Sequence, residues 1–104
     1  MKDNFSLGSA QYARYRPGYP PEFFDYLFSI VKAKGNAWDC GTGNGQVASQ
    51  LAGEFEAVYA TDISSSQIEH AAVAPNIFYS VQPAEHTAFD DQCFDLIIVA
   101  QAIH

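Results

Sequence analysis

The chain has 104 residues, of which 48% are hydrophobic, 14% aromatic and only 16% charged, which excludes a disordered or low-complexity polypeptide and sets one domain as the ceiling. Five Lys and Arg against twelve Asp and Glu leave a formal net charge of −7, a field that repels phosphate backbones and argues against nucleic acid as the main partner.

Taken in chain order, residues 1–19 are rich in Tyr and Arg and weakly periodic, and they read as an amino-terminal arm or a short helix. Pro20 and Pro21 suit the first turn of a helix. Phe23, Phe24, Leu27, Ile30 and Val31 then recur at three- and four-residue spacing, which predicts an amphipathic helix ending at Gly35. Ala37 to Cys40 is a short strand that runs into Gly41-Thr42-Gly43-Asn44-Gly45. Val47, Ala48, Leu51 and Ala52 make a helical stripe that stops near Gly53. Ala57 to Thr61 is a second strand, closed by Asp62. Ser64 with Gln67 three residues later has the form of a capping box, opening a helix through Ile68, Ala71 and Ala72 that Pro75 ends. Asn76 to Val81 is a third strand and Phe94 to Ala100 a fourth, nearly all apolar.

Strands alternating with helical patterns predict βαβ units and a mostly parallel sheet, so the fold class is α/β and Rossmann-like, residues 20–104 forming the domain. An unbroken apolar run such as Leu96 to Ala100 is what a strand buried on both faces looks like. That run is far short of the roughly 20 residues of a membrane span, and Met1 to Ser6 has no apolar core of a secretion leader. Cys40 and Cys93 lie apart without metal-type spacing, and they read as buried thiols, not a disulfide. Together these features describe an acidic cytoplasmic protein with no visible metal-ligand cluster and no membrane span.

The chemistry concentrates between the first strand and the next helix. Glycines there permit positive φ and let a ligand approach the backbone, while the helix start presents unpaired amides. Seventeen residues past Gly45, Asp62 ends the second strand, where a carboxylate can accept both hydroxyls of a ribose. The pair predicts a nucleoside-type ligand across the carboxyl ends of neighbouring strands. A nicotinamide dinucleotide is disfavoured. The residue three after Gly43 is Gln46 where the dinucleotide fingerprint has glycine, and Asp39 would repel a pyrophosphate but could pair with an ammonium group.

The segment Asp39-Cys40-Gly41-Thr42-Gly43-Asn44-Gly45, with Asp62, Ala84 to Phe89 and Cys93 to Ile98, resembles the class I S-adenosylmethionine-dependent methyltransferases of the small-molecule group called type 11. The leader Tyr12, Tyr15-Arg16-Pro17 and Tyr19-Pro20 is similar to a subgroup that includes trans-aconitate-methyltransferase-like enzymes. The resemblance covers nearly the whole chain. It implies S-adenosylmethionine as cofactor and a small-molecule methyl acceptor. It also implies roles residue by residue: Gly41, Gly43 and Gly45 around the methionine part, Asp39 toward its ammonium directly or through water, and Asp62 on the ribose. Ile63 would lie against the adenine, Ala84 and Glu85 at the adenine edge, and Gln101 beside the methionine part. Tyr12, Tyr15 and Arg16 would cap its carboxylate from the arm. Pro83 stands where many relatives carry an acid that accepts the adenine amino group, which leaves that recognition to the amides of Ala84 and Glu85. No catalytic residue is assigned by the resemblance; His104, just past the fourth strand, is the one candidate to orient a substrate or accept a proton.

The family's sheet has seven strands in the order 3-2-1-4-5-7-6, and this sequence supplies the first four, predicted to lie 3-2-1-4. The fourth would then be a long apolar edge of the kind proteins cover. The expectation is therefore a cofactor half truncated after strand four, whose edge is covered by self-association or by a missing carboxyl-terminal half. Two other readings stay open: a binding module without catalysis, which a cofactor half lacking an acceptor half would favour, and a nicotinamide-dependent oxidoreductase half-domain, disfavoured by Gln46 and Asp39.

Overall fold

The computed structural model describes residues 5–7, 10–83 and 94–100. These form six strands and three helices: β1 (Phe5–Leu7), β2 (Ala10–Tyr15), α1 (Glu22–Ile30), β3 (Asn36–Cys40), α2 (Gln46–Ala52), β4 (Ala57–Asp62), α3 (Ser65–Glu69), β5 (Ile77–Val81) and β6 (Leu96–Ala100). One sheet contains all six strands in the order β1-β2-β6-β3-β4-β5. The run β5-β4-β3-β6 is the expected 3-2-1-4 succession, and every pair within it is parallel. The class is α/β and Rossmann-like.

The far side of β6 departs from expectation. Leu96 to Ala100 is no edge, because β2 pairs with it in parallel, from Gln11 opposite Leu96 to Tyr15 opposite Ala100. β1 then adds an antiparallel edge strand to β2. Of the two forms read for the arm, residues 10–15 take the extended one. The physical reason lies in β6 itself, whose apolar run and open ladder reward any segment that can supply backbone partners. Weak local periodicity does not decide between helix and strand; a non-local ladder does.

Strand alternation divides the core into two faces. Ala13, Ala37, Val58, Ala60, Ile77, Leu96 and Ile98 face α1 and α2 and pack against Phe23, Phe24, Leu27, Ala48 and Leu51. Trp38, Cys40 and Ile97 point the other way and pack with Phe94, flanked by Tyr12, Tyr59 and Val99. Trp38 Nε1 donates to Thr61 Oγ1 across the ladder at 3.0 Å, which satisfies the indole inside an apolar face. β3 and β6 start level because Asp95 Oδ2 accepts the amides of Gly35 and Asn36 at 2.9 and 3.1 Å.

Helix ends are set by local chemistry. α1 stops at Ile30, short of Gly35, because Val31 turns extended and the Lys34 ammonium takes the carbonyls of Phe28 and Val31. α3 ends at Glu69 after one short turn; Ser64 Oγ accepts the Gln67 amide at 3.3 Å, the first half of the expected capping box, while the Ser64 amide goes to Asp62 Oδ1 in place of Gln67. Among the described residues no helix is long and apolar enough to cross a membrane.

Candidate functional site

The carboxyl ends of β3, β4, β5 and β6 open into a cavity of about 350 Å³ lined by Cys40, Gly41, Asp62, Ile63, Gln82, Pro83, Val99 and Ala100. β3, β4 and β6 thus contribute their last residues and β5 the two that follow it, as ligand sites of open α/β sheets require. A second cavity of about 290 Å³ lies on the other side of the glycine loop, lined by Tyr15, Pro17, Gly41, Thr42, Asn44, Gln46, Val47 and Ala100. Gly41 and Ala100 belong to both walls, so the two cavities meet at the loop.

The loop has a specific conformation. Gly41, Gly43 and Gly45 take φ of 84°, 56° and 83°, the left-handed region that side chains resist. The amides of Gly41 and Thr42 both donate to the Thr61 carbonyl at 2.8 Å, tying the loop to the end of β4. At Gly45 a Cβ would collide with the Tyr79 hydroxyl and come within 3.1 Å of the Ala72 amide nitrogen. That amide donates to the Asn44 carbonyl at 3.0 Å, and the Tyr79 hydroxyl donates to the Ala72 carbonyl, so β5 props the far end of the loop. At Gly41 a Cβ would press on that of Ala100 at 3.1 Å and narrow the junction of the cavities.

Asp62 holds the loop from the cavity side. Its Oδ2 accepts the Gly43 amide at 2.8 Å and its Oδ1 the Ser64 amide at 2.9 Å. A carboxylate has about four acceptor sites, and the two bonds among the described residues use half of them, so Asp62 in the cavity wall suits a vicinal diol. Ile63 beside it is 75% exposed, an apolar side chain offered to a flat ring.

Asp39 sits elsewhere. Alternation along β3 puts it with Ala37 on the helix-facing side, 1% exposed and in the wall of neither cavity. Its Oδ2 accepts the Thr42 hydroxyl at 2.8 Å, and the Ala48 amide in the first turn of α2 also donates to it. Gly45 has no side chain with which to cap that helix, so Asp39 does so from below. Burial pushes its carboxyl up to about 7, with the nearby Asp62 charge adding a little and the two hydrogen bonds opposing. Burial and the Asp39 charge likewise raise the Tyr79 phenol.

The arm residues are divided. Tyr12 and Tyr15 are three apart on a strand and so point to opposite faces. Tyr15 reaches the smaller cavity, packed on Tyr19, Phe23 and Phe24, whereas Tyr12 flanks Trp38 and Ile97. Arg16 is exposed in the turn after β2 and is absent from both cavity walls. Of the three residues expected to cap the carboxylate, the structure thus brings Tyr15 alone to a wall of these two cavities. Ala84, Glu85, Gln101 and His104 lie outside the described residues. Among the described residues no cluster of His, Cys, Asp and Glu is placed to hold a metal ion.

Sequence reasoning assigned no wall role to Thr42, Asn44 and Val47, which line the smaller cavity with Gln46, nor to Tyr79, which props the loop. The first three lie in or just after the glycine segment, and their proximity in sequence was the available signal. Tyr79 had none, since only the β4–β5 pairing brings it under Gly45.

Comparison with known proteins agrees with this geometry. The family model described as a methyltransferase domain matches residues 38–104. A protein of Dictyostelium discoideum named as a methyltransferase is 36% identical over 103 residues, covering 98% of this chain and 39% of the relative. A Mycobacterium tuberculosis protein, also named as a methyltransferase, is 34% identical over 104 residues, 97% of this chain and 42% of its own. A solved structure described as a type II methyltransferase from Anaeromyxobacter dehalogenans superposes with a TM-score of 0.67 at 40% identity, covering 86% of this chain and 38% of that one. The chain thus spans about two fifths of the length of these relatives.

Proposed function

The chain belongs to the methyltransferase domain family, and on that premise we propose that it carries the S-adenosylmethionine-binding site of an enzyme that methylates a small molecule. The observation that supports this most is the pair of cavities that meet at Gly41 and Ala100. The larger has the walls for a nucleoside: Asp62 with spare acceptor capacity and Ile63 for the base. The smaller has polar amides and an aromatic wall, with no lysine or arginine among its described lining residues to attract a diphosphate, and so suits an amino-acid tail.

When bound, S-adenosylmethionine supplies an electrophilic methyl group on a sulfonium. The residues of this chain act by positioning. Asp62 fixes the ribose and the loop together, the glycines let the backbone come close, and Gly41 keeps the junction of the cavities open. Tyr15 walls the smaller cavity and keeps water from one side of it, braced by Tyr19, Phe23 and Phe24. Transfer of this kind needs alignment and a dry, cation-tolerant site more than an acid–base pair. A nicotinamide cofactor is disfavoured by Gln46 in the smaller cavity wall, where the fingerprint's third glycine would stand.

Calorimetric titration of S-adenosylhomocysteine into the purified chain tests the reading, with Asp62→Ala as the control. Saturable binding that weakens at least tenfold in the variant supports it. A folded chain that binds NADH and neither S-adenosylmethionine nor its demethylated product overturns it.

A further inference from the structure

Asp39 carries a role that contact with a ligand does not explain. It is buried behind the glycine loop, yet Thr42, which donates to it at 2.8 Å, lines the smaller cavity. A charge placed in that cavity is therefore separated from the Asp39 carboxylate by one side chain and no bulk water. Among the described residues no cationic side chain acts on Asp39. Tyr79 faces it from β5 and Asp62 from the end of β4, and both are neutral or negative. α2 and β6, which pack against it, bring no titratable side chain at all. In a low-dielectric setting an uncompensated carboxylate holds its proton until a positive charge arrives.

We propose that Asp39 couples cofactor uptake to proton release: a ligand that brings a cationic group into the smaller cavity expels the Asp39 proton to solvent, and the carboxylate left behind stabilises that cation from behind the loop. This rests on the reading of the cavities as a site for S-adenosylmethionine, and it deepens that reading by stating how charge is recognised. The step balances simply. The carboxyl O–H bond breaks, its electrons stay on Asp39, and the proton passes to the buffer. The Thr42 hydroxyl can accept from the neutral acid and donate to the carboxylate, so the Thr42–Asp39 bond exists in both states. Asp39 acts here as a positioning and specificity residue, selecting ligands that carry a cation over neutral nucleosides.

The free group titrates at about 7, and a bound cation lowers that value, so affinity rises with pH through the neutral range and levels off above it. S-adenosylhomocysteine should bind roughly tenfold more tightly at pH 8 than at pH 6. Titrations at pH 6.5 in buffers of different ionisation enthalpy should show more than half a proton released per ligand bound, roughly. 5′-Deoxy-5′-methylthioadenosine, a nucleoside thioether without the ammonium, should release none. In Asp39→Asn, which keeps an acceptor for Thr42 and for the Ala48 amide, binding should be flat with pH and proton release absent. Thr42→Val serves where that variant does not fold. It removes a bond that favours the carboxylate, so the midpoint of the pH profile should move upward. Binding of S-adenosylhomocysteine with a flat profile and no proton release overturns this inference and leaves the function standing. Proton release that persists in Asp39→Asn overturns it too. No binding of either S-adenosyl compound by the folded chain overturns the functional reading, and the inference with it.

Discussion

Asp62 and Gly43 are joined across the mouth of the larger cavity by a 2.8 Å bond from the Gly43 amide to Oδ2, while Oδ1 takes the amide of Ser64. One carboxylate thereby fixes the glycine loop, the β4–α3 turn and the cavity wall. Asp62→Ala removes an ionised acceptor from two amides, a loss of about 2 kcal/mol once partial exposure is allowed for. Chemical denaturation should show that drop, and calorimetry a loss of S-adenosylhomocysteine binding larger than the stability change explains. Asp62→Asn should fall between, since one of its two heads donates where acceptance is needed. An alanine variant that binds as the wild type does would remove Asp62 from the site.

Much of this was readable in the sequence, and the reasons differ by residue. The strand–glycine loop–helix segment is local: Gly41 to Gly45 and the capping pair Ser64 and Gln67 state their geometry within a few positions. The succession β5-β4-β3-β6 follows from alternating strand and helix patterns and short connections. Residues 10–15 were not readable as a strand because their partner is β6, more than eighty positions away, and nothing local favours pairing over a helical turn. Asp39 is legible as part of the loop segment, and alternation from Ala37 turns it toward α2, but only the fold shows Thr42 standing between it and the cavity.

Gly45 and Tyr79 should show strong coupling. Gly45→Ala forces a side chain to φ near 83° and into the Tyr79 hydroxyl. The conformational part costs about 1–2 kcal/mol and the collision adds to it. Tyr79→Phe alone loses the bond to the Ala72 carbonyl, worth about 1 kcal/mol. In the double variant the hydroxyl is gone, so the penalty should be smaller than the sum of the two singles. A double-mutant cycle by urea denaturation measures this. Strict additivity would show that Tyr79 does not prop the loop.

The folded chain should lose stability as pH rises from about 4 to 7. Asp39 has its carboxyl raised from 3.8 to about 7 in the native state, so between those values the folded protein binds the proton that the unfolded chain has lost. Stability then falls with pH, by up to about 1.4 kcal/mol per unit, and levels off above the folded value. Urea midpoints at pH 5, 6, 7 and 8 trace the slope, and Asp39→Asn should flatten it. A stability that rises with pH across this range in the wild type alone would place the Asp39 carboxyl in water, contrary to its 1% exposure.

Pairing of β2 with β6 makes a prediction that reads out residue by residue. In a parallel ladder the amides of a central strand point alternately to its two neighbours. β6 lies between β2 and β3, so its amides are shared between the two neighbours while both are in place. Ala13 stands opposite Ile98, 1% exposed and packed on the helix face. Ala13→Glu puts a carboxylate there with no counter-charge, a cost of several kcal/mol that the short β2 ladder cannot bear, and the strand should leave the sheet. Hydrogen exchange followed by NMR should then show alternate amides of Leu96–Ala100 exchanging fast while those bonded to β3 stay protected. Ala13→Val, which adds bulk without charge, should keep β2 in place. Protection that falls uniformly along β6 would mean the whole sheet had opened, and protection that does not change would mean that β2 is not what covers this strand.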